Sequence, residues 1–127
     1  MWDLAVREED YEEADSMMRR MAAPPLSMRI LSTFARGDSA ARAAITAEAR
    51  SADSRQSQIG ARYVATFLND LPAARSLAAL DLAPRRSPPI QVNAQLFLAW
   101  LELARGRWTA AKVAFARAEG MPGRHRF

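Results

Sequence analysis

The sequence predicts an all-α chain of seven to eight helices, paired into about four antiparallel hairpins. Three observations predict it. The apolar half of the composition is mostly alanine and leucine. Alanine has the best helix propensity, and leucine loses little rotamer freedom in a helix. Only five glycines punctuate the 127 residues. Strong stops recur at Pro24-Pro25, Pro84, Pro88-Pro89 and Pro122-Gly123, because proline cannot continue a helix and restricts the residue before it. Weaker turns fall between them, at Glu9-Asp10, Arg36-Gly37-Asp38, Asn69-Asp70 and Arg105-Gly106-Arg107.

A single domain spanning 1–127 is expected at this length. Its hairpins are read at 1–22, 26–50, 55–82 and 90–119, followed by a basic tail at 120–127. In the first hairpin, Tyr11 to Met21 makes a good second helix, but only Met1 to Glu8 remain for the first. The second pairs Leu26–Arg36 with Ser39–Arg50. Asp38 is its N-cap, and Ile45 is the only large apolar residue of the second helix. In the third, Ile59, Tyr63 and Phe67 are spaced by four along Arg55–Leu68. Asp70 then caps Leu71–Leu82, with Pro72 in its first turn. The fourth is the clearest. Leu96, Trp100 and Leu103 stripe Ile90–Arg105, Gly106 suits the left-handed position after it, and Trp108–Glu119 follows with Val113 and Phe115.

The central small residue of each second helix, or its equivalent, is Ala14, Arg42, Ala74 and Ala111, at spacings of 28, 32 and 37 residues. A period of about 34 marks helix–turn–helix repeats. In the last hairpin, Leu98-Ala99, Gly106, Trp108, Ala111, Phe115 and Ala118 resemble the tetratricopeptide (TPR) signature. That signature places a large-small pair in the first helix, a glycine and an aromatic at the turn, and Ala, aromatic, Ala in the second. Asp10-Tyr11-Glu12-Glu13-Ala14 resembles its turn and second helix. Glu102 departs from the pattern, standing where the family often has an aromatic, and Arg42 and Arg62 replace small residues. The resemblance implies a right-handed TPR-like α-α superhelix, with first helices lining a concave face and Trp108 as a structural turn aromatic. It also implies a non-catalytic protein–protein interaction module or scaffold. Arrays of this composition are often attached to bacterial signalling kinases and transcription regulators, so a regulatory part of a larger bacterial protein is expected.

No enzyme is expected. There is no cysteine, and the one histidine, His125, lies in the basic tail. A Ser-His-Asp or Cys-His arrangement would have only that base. No metal-ligand spacing or glycine-rich phosphate loop occurs, and the acids of residues 8–15 lack the alternation of a calcium loop. No cofactor is expected. The N-terminal residues do not form a secretory signal, and no apolar run reaches the roughly 18 residues of a membrane span. A cytoplasmic protein without membrane contact is the expectation.

Two surfaces are candidates for binding. Counting back from each turn puts Leu31, Tyr63 and Trp100 at one equivalent first-helix position, with Gln56 and Asn93 at another. Together they would form a peptide groove, aromatics giving contact area and amides holding an extended backbone. The second surface follows from charge. Residues 1–15 hold seven acids and one base, whereas residues 16–127 hold seventeen bases, of which only Lys112 is a lysine, and seven acids. Arg50, Arg55, Arg85, Arg86, Arg124 and Arg126 fall in or beside inter-repeat connections and would form a basic edge. Such an edge suits an acidic protein or, as the alternative function, nucleic acid. Both ends of the array look cut, so self-association through uncapped ends, near Val113 and Phe115, is also expected.

Overall fold

The computed structural model describes residues 2–7, 10–52 and 54–122. Every regular element among them is helical. In chain order they are α1 (Trp2–Arg7), α2 (Tyr11–Arg19), α3 (Leu26–Arg36), α4 (Ser39–Ser51), α5 (Ser54–Leu68), α6 (Leu71–Ala79), α7 (Pro88–Ala104) and α8 (Trp108–Glu119). One 3₁₀ turn, Leu80–Leu82, prolongs α6. The expected all-α class is therefore observed, and most helix limits agree with the sequence reading. The main difference is α7, which starts on Pro88 rather than after the proline pair. The first-turn positions need no N–H, so prolines preset for helix are tolerated there.

Local chemistry explains the starts and stops. Asp10, Asp38 and Asp70 each accept a bond from the backbone N–H three residues on, capping α2, α4 and α6. The corresponding residue before α8 is Arg107, which gives no such cap. Gly106 sits at φ +73°, and the bonds Gly106 N to Leu103 O and Arg107 N to Glu102 O close a Schellman motif at the end of α7. Asn69 takes the left-handed position after α5, at φ +51°, a conformation asparagine tolerates.

Helices pack in the order α1 on α2, α3 on α4, α5 on α6 and α7 on α8, each second helix then meeting the next hairpin's first. First helices also meet each other, most extensively α3 on α5. The main core joins Leu26, Ile30, Ile45, Ala49, Ala61, Val64, Ala74, Leu77, Ala78 and Leu101. A second cluster holds Ala5, Val6, Ala14 and Leu31, with Trp2, Tyr11, Tyr63 and Phe67 against it. Gly60 lets α5 approach α3: a Cβ there would stand 2.7 Å from Ile30 Cδ1 and 3.0 Å from its Cβ.

Polar side chains tie the helices together, both between neighbouring hairpins and within them. Gln58 Nε2 donates to Ile90 O at 3.1 Å, and Gln95 Nε2 donates to Ala114 O at 3.2 Å. Asp15 accepts from Ser32 Oγ and pairs with Arg36, joining α2 to α3. Arg42, in place of the small residue, donates to Phe34 O at 2.8 Å and stacks its guanidinium over the Phe34 ring. Arg29 and Glu48 form a two-bond fork at 2.8 Å each between α3 and α4. That fork holds the Glu48 carboxyl below its ordinary value, chiefly through the hydrogen bond from Arg29. A depressed folded pKa contributes stability above the ordinary carboxylate range and loses it as pH falls through the folded value. Both side chains are partly exposed, so screening keeps the effect small. Glu48→Gln is expected to cost about 0.5 kcal/mol at neutral pH. Urea unfolding should show that difference shrinking as pH falls below the ordinary carboxylate range, where wild-type Glu48 also takes up its proton. A difference that persisted unchanged in acid would exclude the carboxylate as its origin.

Candidate interaction surfaces

The predicted groove residues separate into two groups. Leu31 is 1% exposed and belongs to the second core cluster. Gln56 Oε1 accepts from Ser27 N at 3.3 Å, serving one of the otherwise unbonded N–H groups at the start of α3. Tyr63 packs between Trp2 and Phe67, with ring centroids 5.5 and 5.8 Å away. These three serve packing rather than a groove: the first hairpin covers Leu31 and Tyr63, and Gln56 is spent on α3.

Asn93 and Trp100 do come together. They line a recess of about 450 Å³ between α5 and α7, with Arg62, Thr66, Leu96 and Phe97. Trp100 is 62% exposed, and its ring meets Phe115 edge-on at 5.7 Å. Arg62 holds its guanidinium 5.9 Å from the Phe97 centroid. Arg62, Phe97 and Thr66 were missed from the sequence, although Arg62 had stood out there as a large residue at a small position. Trp108, expected to be a structural turn aromatic, is 68% exposed. It is the first residue of α8, at the flank of the buried Ala111, Ala114 and Ala118 face.

The basic edge is likewise divided. Arg50 and Arg85 line one recess with Ser51, Leu80 and Leu82. Arg55 is exposed but outside that recess. Arg86 is not an edge residue. Its side chain is 9% exposed, its Nε lies 3.4 Å from Asp81 Oδ1, and Asp81 itself is fully buried. Its Nη1 donates to Ala52 O at 2.6 Å and its Nη2 to Ala49 O and Arg50 O at 3.1 Å. The planar fork matches the carbonyls at the end of α4, one of which, Ala49 O, also accepts from Ser57 Oγ, and a positive charge there meets the helix dipole. Arg124 and Arg126, with His125, lie outside the described residues.

A third surface was not foreseen. A recess of about 600 Å³ lies among α6, α7 and α8, lined by Arg75, Arg107, Arg117, Glu102, Gln95 and apolar side chains that include Leu98 and Val113. Glu102 has a side chain only 8% exposed, with Arg107 Nη1 at 3.5 Å and Arg75 Nε at 3.8 Å. Its Oε2 is buried and receives no hydrogen bond. The sequence signal was Glu102 itself, an acid inside the apolar run of the last hairpin. Of its two partners, Arg107 is close in sequence but Arg75 comes from α6, which spacing could not assemble.

Among the described residues, no group of three or more His, Cys, Asp or Glu side chains is placed to hold a metal ion, and no helix is long and apolar enough to cross a membrane. No family model, curated protein or solved structure matches the chain.

Proposed function

We propose that the chain is a non-catalytic protein-interaction module, built as a TPR-like stack of hairpins, which receives a peptide segment in the recess between α5 and α7. The packing of each second helix on the next hairpin's first helix supports the stacked reading, with one contact that skips a hairpin, Trp2 of the first on Tyr63 of the third. The observation that carries the functional reading is Trp100, a large aromatic mostly in water beside the exposed Asn93 amide. Tryptophan is enriched among residues that dominate binding energy, and an amide offers both donor and acceptor to an extended backbone. Arg50 and Arg85, sharing one recess, favour the second reading, an arginine-rich nucleic-acid-binding helical domain. That recess has no aromatic for base stacking, which makes it the weaker one.

Panning a random peptide library against the chain tests the first reading. Enriched peptides should bind Trp100→Ala about thirtyfold more weakly, as expected for loss of an aromatic anchor. Asn93→Ala should lower affinity less. Far-UV circular dichroism of both variants should be unchanged, because both residues are exposed. Absence of any enriched peptide, or binding indifferent to Trp100, would discard the reading. Retention of nucleic acid that nuclease removes would favour the second.

A further inference from the structure

The recess among α6, α7 and α8 has a counterpart elsewhere on the same chain. Its charged lining is Arg75, Arg107, Arg117 and Glu102, three bases and one acid. A shallow recess on the start of α2 is lined by Asp10, Glu12, Glu13, Ser16 and Arg19, three acids and one base. The two charge sets are inverse. One lies on the first hairpin and the other where the last hairpin meets α6.

Glu102 supplies an independent reason to look for an occupant. A carboxylate this buried normally has its lone pairs filled, because an unmet charge in a low-dielectric site is costly. Arg75 and Arg107 approach it only at 3.8 and 3.5 Å, with exposed side chains, and Oε2 still lacks a donor. Arg107 also occupies a position where the other hairpins carry a capping aspartate. The recess is therefore held open by charges that the fold does not pair closely.

We propose that this recess docks the α2 face of a second copy of the chain. Glu12 and Glu13 of the second copy meet Arg107 and Arg117, and its Arg19, long enough to reach inward, donates to Glu102. Asp10 is already committed to capping its own helix, which leaves the two glutamates free to pair outward. The contact joins different surfaces, head to tail, so it is heterologous and propagates rather than closing in a pair. The association is weak at physiological ionic strength and strengthens as salt is lowered, since its charges are near the surface. This inference does not rest on the peptide reading, which concerns another face.

Sedimentation velocity on the full chain over a concentration series, at low and high salt, tests it. Wild type should grow in mass with concentration at low salt and return to monomer at high salt. Glu12→Gln with Glu13→Gln removes one surface, and Arg107→Gln with Arg117→Gln removes the other. Each double variant alone should associate about tenfold more weakly or worse. Mixed in equal amounts, they retain one good surface each and should form a heterodimer that does not grow further. Glu102→Gln should weaken wild-type association without changing the circular dichroism spectrum. A wild-type monomer at every concentration in low salt would overturn the proposal. So would association that survives both double variants, or a mixture that fails to restore it.

Discussion

Arg86→Ala is expected to destabilise the chain by about 3–5 kcal/mol, the usual cost of removing one partner of a buried charge pair. Arg86 donates three bonds to carbonyls at the end of α4 and on Ala52 just after it, and stands beside the fully buried Asp81. Alanine leaves that carboxylate buried without its guanidinium and takes the fork from the carbonyls. Lysine keeps the charge but not the planar fork, so Arg86→Lys should recover only part of the loss. Arg86→Met combined with Asp81→Leu removes both charges together. That pair should be more stable than Arg86→Ala, and its remaining deficit reports the α4 carbonyls. Urea unfolding at neutral pH measures all four proteins. A deficit below about 1 kcal/mol for Arg86→Ala would put this guanidinium in the class of exposed ion pairs.

The second large effect is at the crossing of α3 and α5. Ile30 is fully buried, and Ile30→Ala is expected to cost about 2–5 kcal/mol through lost burial and the cavity left behind. Gly60→Ala has two opposed terms. Alanine gains about 1 kcal/mol of helix propensity over glycine. Its methyl, however, would stand within 3.0 Å of the Ile30 Cβ, close to backbone and unable to swing away. Overpacking of this kind costs about 1–3 kcal/mol, so the net change is destabilising. Ile30→Ala removes the contacts with Cδ1 and Cγ2 and keeps only the one with Cβ at 3.0 Å, while the added methyl fills part of the cavity. Gly60→Ala should thus cost less in the Ile30→Ala background than in wild type, a coupling opposite in sign to the single effects. Thermal unfolding of the four-member cycle checks it, and simple additivity would show that the helices shift apart instead.

Helix positions were legible from the sequence because the determinants are local. Asp38 and Asp70 announce caps, Gly106 announces a left-handed stop, and the proline pairs announce breaks. Side-chain roles were less legible. Tyr63 and Trp100 hold the same place relative to their turns, yet Tyr63 lies under Trp2 and Trp100 lies in the open. That difference is set by what packs over each helix. Arg86 reads as one more arginine of an edge, and only the fold reveals that the end of α4 lies within its reach. Trp108 misled for the reverse reason: the turn position implied a neighbour that the described residues do not supply.

Arg107 has a consequence for how this chain would respond to selection for heat resistance. An asparagine or serine there would cap α8 as the aspartates cap α2, α4 and α6, at a gain of about 1 kcal/mol. The same change would strip a cation from beside Glu102. Thermostability and the charge pattern of the last hairpin therefore pull this codon in opposite directions. A chain evolved for temperature alone should surrender the arginine early, whereas one kept for its contacts should hold it and remain less stable than its architecture permits.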